Sequence, residues 1–236
     1  MLDKILPAGL DAVLFIVLPY LSLVLFFLVT IQRYRKQTFT YSSLSSQFLE
    51  NRHHFWGLVP FHYGLLIIIA GHVIGFLVPG WVIAWNADML RLWILEVTAL
   101  VGGFLTLVGF VNIVVRRFRS PKVRVVTTAA DWVLYGMLFV QFATGVYTAV
   151  FARWGSSWYA SNAVPYLRSL FMLAPDLGFV APLPILVKAH LLCAFLIVAF
   201  FPFTRLVHIL VVPNPYLWRR PQVVRWYGRR RADDVR

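Results

Sequence analysis

Five long apolar runs organise the chain, at about 10–31, 58–78, 92–115, 131–152 and 184–211, and each approaches or exceeds the roughly 20 residues a helix needs to cross hydrocarbon. Polar segments separate them, among them "RYRKQTFTYSSLSSQFLENRHH" and "RRFRSPKVR". A helix satisfies its own backbone N–H and C=O groups, which lipid cannot do. The pattern therefore predicts an all-α integral membrane fold with five transmembrane helices. The long interval 153–183 contains "SNAVPYLRSLFMLAPDLG". Its Leu, Phe and Met spacing predicts a short interfacial helix near 162–173, with a bare loop as the alternative.

Composition agrees with that pattern. The chain is 60% hydrophobic and 13% charged over 236 residues, with a mean hydropathy of +0.75. Soluble domains are nearer half apolar and a quarter charged. The expected organisation is one membrane domain over 1–236, ending in a basic tail from about 212–236. The first residues, "MLDKILPAGLDAVLF", lack the basic start and small-residue cleavage site of a signal peptide, so they are expected to be retained.

Charge sets the expected orientation. The net charge is +13, but the basic residues stand in blocks between apolar runs, which argues against nucleic acid as a partner. With five spans the two ends lie on opposite sides. One side collects Arg33, Arg35, Lys36 and Arg52, then Arg116, Arg117, Arg119, Lys122 and Arg124, and then eight arginines from Arg205 to Arg236. The other side has Lys4, Arg91, Arg153, Arg168 and Lys188. The positive-inside rule puts the N-terminus outside, in the periplasm, and the C-terminus in the cytoplasm. Anionic lipid explains the tail "WYGRRRADDVR", and a cytoplasmic partner is the other reading. A single cysteine, Cys193, excludes an intramolecular disulfide and iron–sulfur clusters held by this chain.

The candidate chemistry lies in the histidines. His53 and His54 precede the second span and read as interfacial residues. His62 and His72 fall inside that span, and His190 and His208 inside the fifth. Polar groups at such depth are costly and are usually partnered. Antiparallel spans place His62 level with His208, and His72 level with His190. Two stacked imidazole pairs point to two six-coordinate b haems between spans two and five. Each remaining ring N–H then needs a carbonyl or hydroxyl acceptor.

Ideal helices do not give this arrangement without adjustment. Intervals of 10 and 18 residues rise about 15 and 27 Å, a mismatch of roughly 12 Å, and offset His62 from His72 by about 80°. Tilt and a bend at Pro202 are the expected accommodations. Four packing histidines on nearby carbonyls, or an ion site, stand as the alternatives. Gly64, Gly71, Gly75, Gly102 and Gly103 serve either a close macrocycle or helix packing.

The chain resembles the gamma subunit of respiratory nitrate reductase, a membrane-bound dihaem cytochrome b, over nearly its whole length. The likeness is carried by "SSQFLENR", "FHYGLLIIIAGHVIGFLVP", "FRSPKVRVVTTAAD" and "FPFTRLVHILVVPNPYL". It implies that His62 and His208 hold a proximal haem on the cytoplasmic side, and that His72 and His190 hold a distal haem near the outer face. It further implies that menaquinol or ubiquinol is oxidised beside the distal haem. Electrons would then pass to an iron–sulfur beta subunit and on to a molybdenum-containing alpha subunit that reduces nitrate. The expected location is the bacterial inner membrane. The chain alone would not reduce nitrate.

The resemblance makes Gly71 and His72 a distal-site pair and Arg91 the nearest match to a quinone-assisting basic residue. An arginine donates hydrogen bonds but does not readily take up a proton, so Arg91 reads as a positioner. Glu96 is a candidate proton relay, or a cap for a neighbouring polar group. Arg205, three residues before His208, is a candidate propionate partner, or it snorkels to the surface. Asp131 reads as a helix-start residue that offsets part of the basic patch. Trp81, Trp85, Trp93, Trp154 and Trp158 read as an external aromatic belt. Related dihaem subunits of sulfite-reductase-linked or heterodisulfide-type complexes, and a haem-free anchor, are the competing functions.

Overall fold

A computed structural model describes residues 8–37 and 54–210. Among these residues five helices are long and apolar enough to cross a membrane: Gly9–Lys36, Phe55–Leu77, Met89–Arg119, Ala129–Phe151 and Ile185–Phe203. They are called spans one to five. Arg52, His53 and the basic tail lie outside the described residues.

The helix ends follow from local chemistry. Asp88 caps span three by accepting from the Arg91 backbone N–H, and the same helix ends in Arg116, Arg117 and Arg119 before Ser120 and Pro121. Cations there oppose the negative end of the helix dipole. Span four opens on a capping box: Thr128 Oγ1 accepts from the Asp131 N–H, and Asp131 accepts from the Thr128 N–H.

The fifth apolar run is not one helix. Its α-helix covers Ile185–Phe200, a tight 3-10 turn covers Phe201–Phe203, Thr204 is extended, and a second 3-10 segment runs over Arg205–Leu210. Pro202 has no N–H to donate, and its ring crowds the preceding turn. The expected bend at Pro202 is therefore a full break, and His208 lies beyond it.

Span two packs along span three, three on four, four on five, and five on one. The first of these contacts is backbone-close. A Cβ on Gly64 would stand 2.6 Å from Gly102 O and from Thr106 N, and one on Gly109 would stand 2.4 Å from Phe61 N. Small residues let helices approach in lipid, where dispersion must replace the hydrophobic drive. Large apolar side chains such as Leu28, Leu66, Leu90 and Phe151 point outward and are exposed, as lipid-facing residues are.

The segment after span four is more structured than expected. The short helix expected near 162–173 is present over Val164–Phe171, and helical turns over Gly155–Trp158 and Tyr159–Ala163 precede it. This segment is partly buried. Tyr166 and Leu170 join Phe15, Val180, Leu183, Val187 and Leu191 in the main core cluster. Tyr166 donates to Phe15 O at 2.8 Å, and Tyr20 donates to Leu170 O at 2.9 Å. Burial in this cluster pushes the Tyr166 hydroxyl well above its ordinary pKa, so it stays a donor.

Candidate functional site

His72 and His190 come together. Their ring centroids are 6.5 Å apart with planes inclined by 28°. On span two, His72 Nδ1 meets the Ile68 carbonyl at 2.8 Å, one helical turn back, which leaves Nε2 for other use. Tyr159 closes over the pair from the segment after span four. It donates to His72 O at 3.0 Å, and its ring meets the His72 ring edge-on at 5.1 Å. Gly75 makes room for it, since a Cβ there would lie 2.7 Å from Tyr159 Cε1. Burial pushes the Tyr159 hydroxyl up to about 12, so it remains a donor. Around Gly71 no heavy atom lies within 4 Å of where a Cβ would be.

His190 is held by span four. Thr144 Oγ1 lies 3.1 Å from its Nδ1, and Gln141 Nε2 lies 3.0 Å from its Nε2. Gly145 gives the ring space: a Cβ there would stand 3.1 Å from His190 Cε1.

Two imidazoles brought this close from different spans are a donor set that would suit one haem held between them. Binding there requires the Gln141 amide to turn aside from Nε2.

The second expected pair is not in ring contact. His62 Nδ1 meets Leu58 O at 2.8 Å, and the ring packs edge-on against Phe61 at 5.1 Å. His208 Nδ1 meets Arg205 O at 2.6 Å. Both rings thus carry a carbonyl on Nδ1. Among the described residues no group of three or more His, Cys, Asp or Glu gathers as a metal cluster; the histidines act as pairs or singly.

Beside His208, Arg205 is committed to an acidic partner. Its Nε donates to Asp131 Oδ1 at 2.6 Å, and its Nη2 donates to Asp131 Oδ2 at 2.7 Å and to Val126 O at 2.7 Å. Arg117 donates to Thr127 Oγ1 at 2.9 Å and lies over the Tyr135 ring at 5.6 Å. Arg33 donates to the carbonyls of Pro202 and Thr204. The basic end of span one and the start of span four thus meet the broken end of span five.

At the opposite end, Arg91 lies over the Trp85 ring at 5.3 Å. Glu96 Oε1 accepts from the Ser156 N–H at 2.8 Å and from its hydroxyl at 2.6 Å, which makes it a cap for the helical turn Gly155–Trp158. Glu96 also lines a recess of about 380 Å³ with Trp93, Leu100, Ala149, Arg153 and Trp154. Arg168 donates to Phe76 O at 2.7 Å and Leu77 O at 3.0 Å, tying the helix Val164–Phe171 to the end of span two.

Sequence reasoning missed Gln141, Thr144, Tyr159 and Arg168. Gln141 and Thr144 were open to detection as polar residues at an i, i+3 spacing inside an apolar span. Tyr159 and Arg168 carried no such signal.

Comparison with known proteins gives the family. The model of the nitrate reductase gamma subunit family matches residues 11–227. The nitrate reductase gamma chain of Bacillus subtilis is 29% identical over 213 residues, covering 89% of this chain and 95% of that protein. The respiratory nitrate reductase 2 gamma chain of Escherichia coli is 31% identical over 220 residues, covering 88% and 93%. The respiratory nitrate reductase 1 gamma chain of the same organism is 31% identical, covering 89% and 95%. With its five apolar spans and a match over nearly its full length, the chain belongs to the nitrate reductase gamma subunit family.

Proposed function

We propose that the chain is the quinol-oxidising dihaem cytochrome b subunit of a nitrate-reductase-type respiratory complex in the bacterial inner membrane. Its N-terminus would lie outside and its basic end in the cytoplasm. The observation that carries this reading is the 6.5 Å spacing of the His72 and His190 rings, each with Nδ1 held by an acceptor. His72 and His190 would hold the distal haem, and His62 and His208 the proximal one. When bound, each haem b accepts and releases one electron.

The protein's own residues then have separable roles. The Nδ1 acceptors on all four rings orient the imidazoles and raise their basicity as ligands. Tyr159 covers the distal pair from the outer end. Oxidation of menaquinol or ubiquinol there releases protons on the outer side, with Gly71 leaving space and Arg91 placed as a positioner. Glu96 uses Oε1 to hold Ser156. Its Oε2 has no hydrogen bond among the described residues and is the oxygen that would take a proton. At the other end, an iron–sulfur beta subunit would receive electrons and a molybdenum-containing alpha subunit would reduce nitrate.

One observation favours a second reading. Gln141 Nε2 stands 3.0 Å from the nitrogen that iron would need, as it would around a packing histidine in a haem-free anchor. A quinol-reduction experiment separates the two. Membranes carrying the full complex are treated with a menaquinol analogue and the b-haem absorbance is followed. The expected result is rapid reduction in the parent and its loss in His72→Ala. Equal reduction in both would refute quinol oxidation at this pair.

A further inference from the structure

Of the four intramembrane histidines, three rest their Nδ1 on backbone carbonyls of their own segment: Leu58 O for His62, Ile68 O for His72 and Arg205 O for His208. His190 differs. Its Nδ1 partner is a side-chain hydroxyl on another span, Thr144 Oγ1 at 3.1 Å. We propose that Thr144 is a positioning residue for the distal haem, holding His190 in the tautomer and rotation that let Nε2 ligate once the Gln141 amide turns aside.

The hydrogen-bond inventory fixes the direction of that contact. A threonine hydroxyl has one proton. Thr144 Oγ1 is 2.7 Å from Val140 O, one turn back on its own helix, and 3.2 Å from Gln141 O. The proton goes to the nearer carbonyl. The hydroxyl therefore meets His190 as an acceptor, and His190 Nδ1 is the donor. Gln141 Nε2 stands 3.0 Å from His190 Nε2, a placement compatible with the same tautomer. That is the nitrogen and the tautomer an iron ligand requires. Gly145, next to Thr144, leaves the space the ring occupies.

Span four supplies no haem ligand in the proposed function, yet it sets the orientation of one. The other three rings keep their acceptors whatever the neighbouring side chains are. Only at His190 can the acceptor be removed by substitution. An N–H donated to an acceptor raises the basicity of the ligating nitrogen, and losing such a partner typically weakens binding about 10–100-fold. A less basic ligand also donates less to ferric iron, so the midpoint potential of that haem rises.

This inference rests on the dihaem reading, and the experiment keeps the two apart. The full complex is prepared with Thr144→Val, Thr144→Ala and Thr144→Ser, and haem b is counted per chain with potentiometric titration of each haem. The proximal haem is the internal control for folding. In Val and Ala, the distal haem is expected to be lost under dilution or to titrate at a higher potential, with the proximal haem unchanged. Ser is expected to restore both properties. If Val and Ala keep the distal haem at the parental potential, Thr144 has no positioning role. If Ser fails as badly as Val, the hydroxyl is not the cause, and the proposal is also overturned. A parent complex lacking haem would instead overturn the dihaem reading itself.

Discussion

Gly64→Ala tests the packing that carries His62. The added methyl would stand 2.6 Å from Gly102 O, Thr106 N and Thr106 Oγ1 on span three. Ordinary carbon–oxygen contacts lie at about 3.3–3.6 Å, so the spans must part by roughly 0.7–1.0 Å. Two of the three atoms are backbone, and no rotamer change relieves them. Overpacking of this kind costs about 1–3 kcal/mol, or about 5–150-fold in the folding equilibrium. Alanine is the better helix former by about 1 kcal/mol, which offsets part of that cost. Gly136→Ala is the matched control, because no heavy atom lies within 4 Å of its Cβ position. It gains the propensity term without the clash. Thermal unfolding in detergent, read by tryptophan fluorescence, is expected to move down for Gly64→Ala and to stay level or rise for Gly136→Ala. Equal or higher stability of Gly64→Ala would refute the close approach of spans two and three.

Other outcomes follow from the same geometry. Asp131 is 3% exposed and bonded through both oxygens to Arg205, so Asp131→Asn should lower stability by about 3–5 kcal/mol. The double variant Asp131→Asn/Arg205→Met should recover part of that loss in a double-mutant cycle; additive losses would count against a coupled pair. Burial raises the Tyr159 hydroxyl to about 12, so the folded chain holds that proton longer than the unfolded one. Its contribution is present below about pH 10 and is lost as pH rises toward 12. Tyr159→Phe should flatten that part of the stability profile, and an unchanged slope between parent and variant would show that Tyr159 does not titrate there.

Much of this architecture could be read from the chain because lipid leaves few choices. An apolar run of the right length must be a helix, and "TTAAD" supplies the cap that starts span four at Ala129. A haem-binding histidine needs a carbonyl or hydroxyl oxygen beside its second nitrogen, and each of the four Nδ1 atoms lies beside such an oxygen. The particular acceptors were not legible. Apolar periodicity does not say which face of span four meets span five, so Thr144 and Gln141 gave no sign of pointing at His190. The proline signalled a bend, but not that the α-helix would stop at Phe200 and resume as 3-10 turns. For the same reason the level pairing of His72 with His190 is met by ring contact, whereas that of His62 with His208 is not. The Arg205–Asp131 bond joins positions 74 residues apart, and local sequence does not report it.

The most direct test is the haem b content of the purified chain, made with ample haem and counted by pyridine haemochrome with a reduced-minus-oxidised spectrum. The expected result is two haems b per chain in the parent and one in His190→Ala. A colourless parent, or a parent whose haem is unaffected by replacing His62, His72, His190 or His208, would contradict it. The histidines would then be packing residues, and the chain an anchor for its partners.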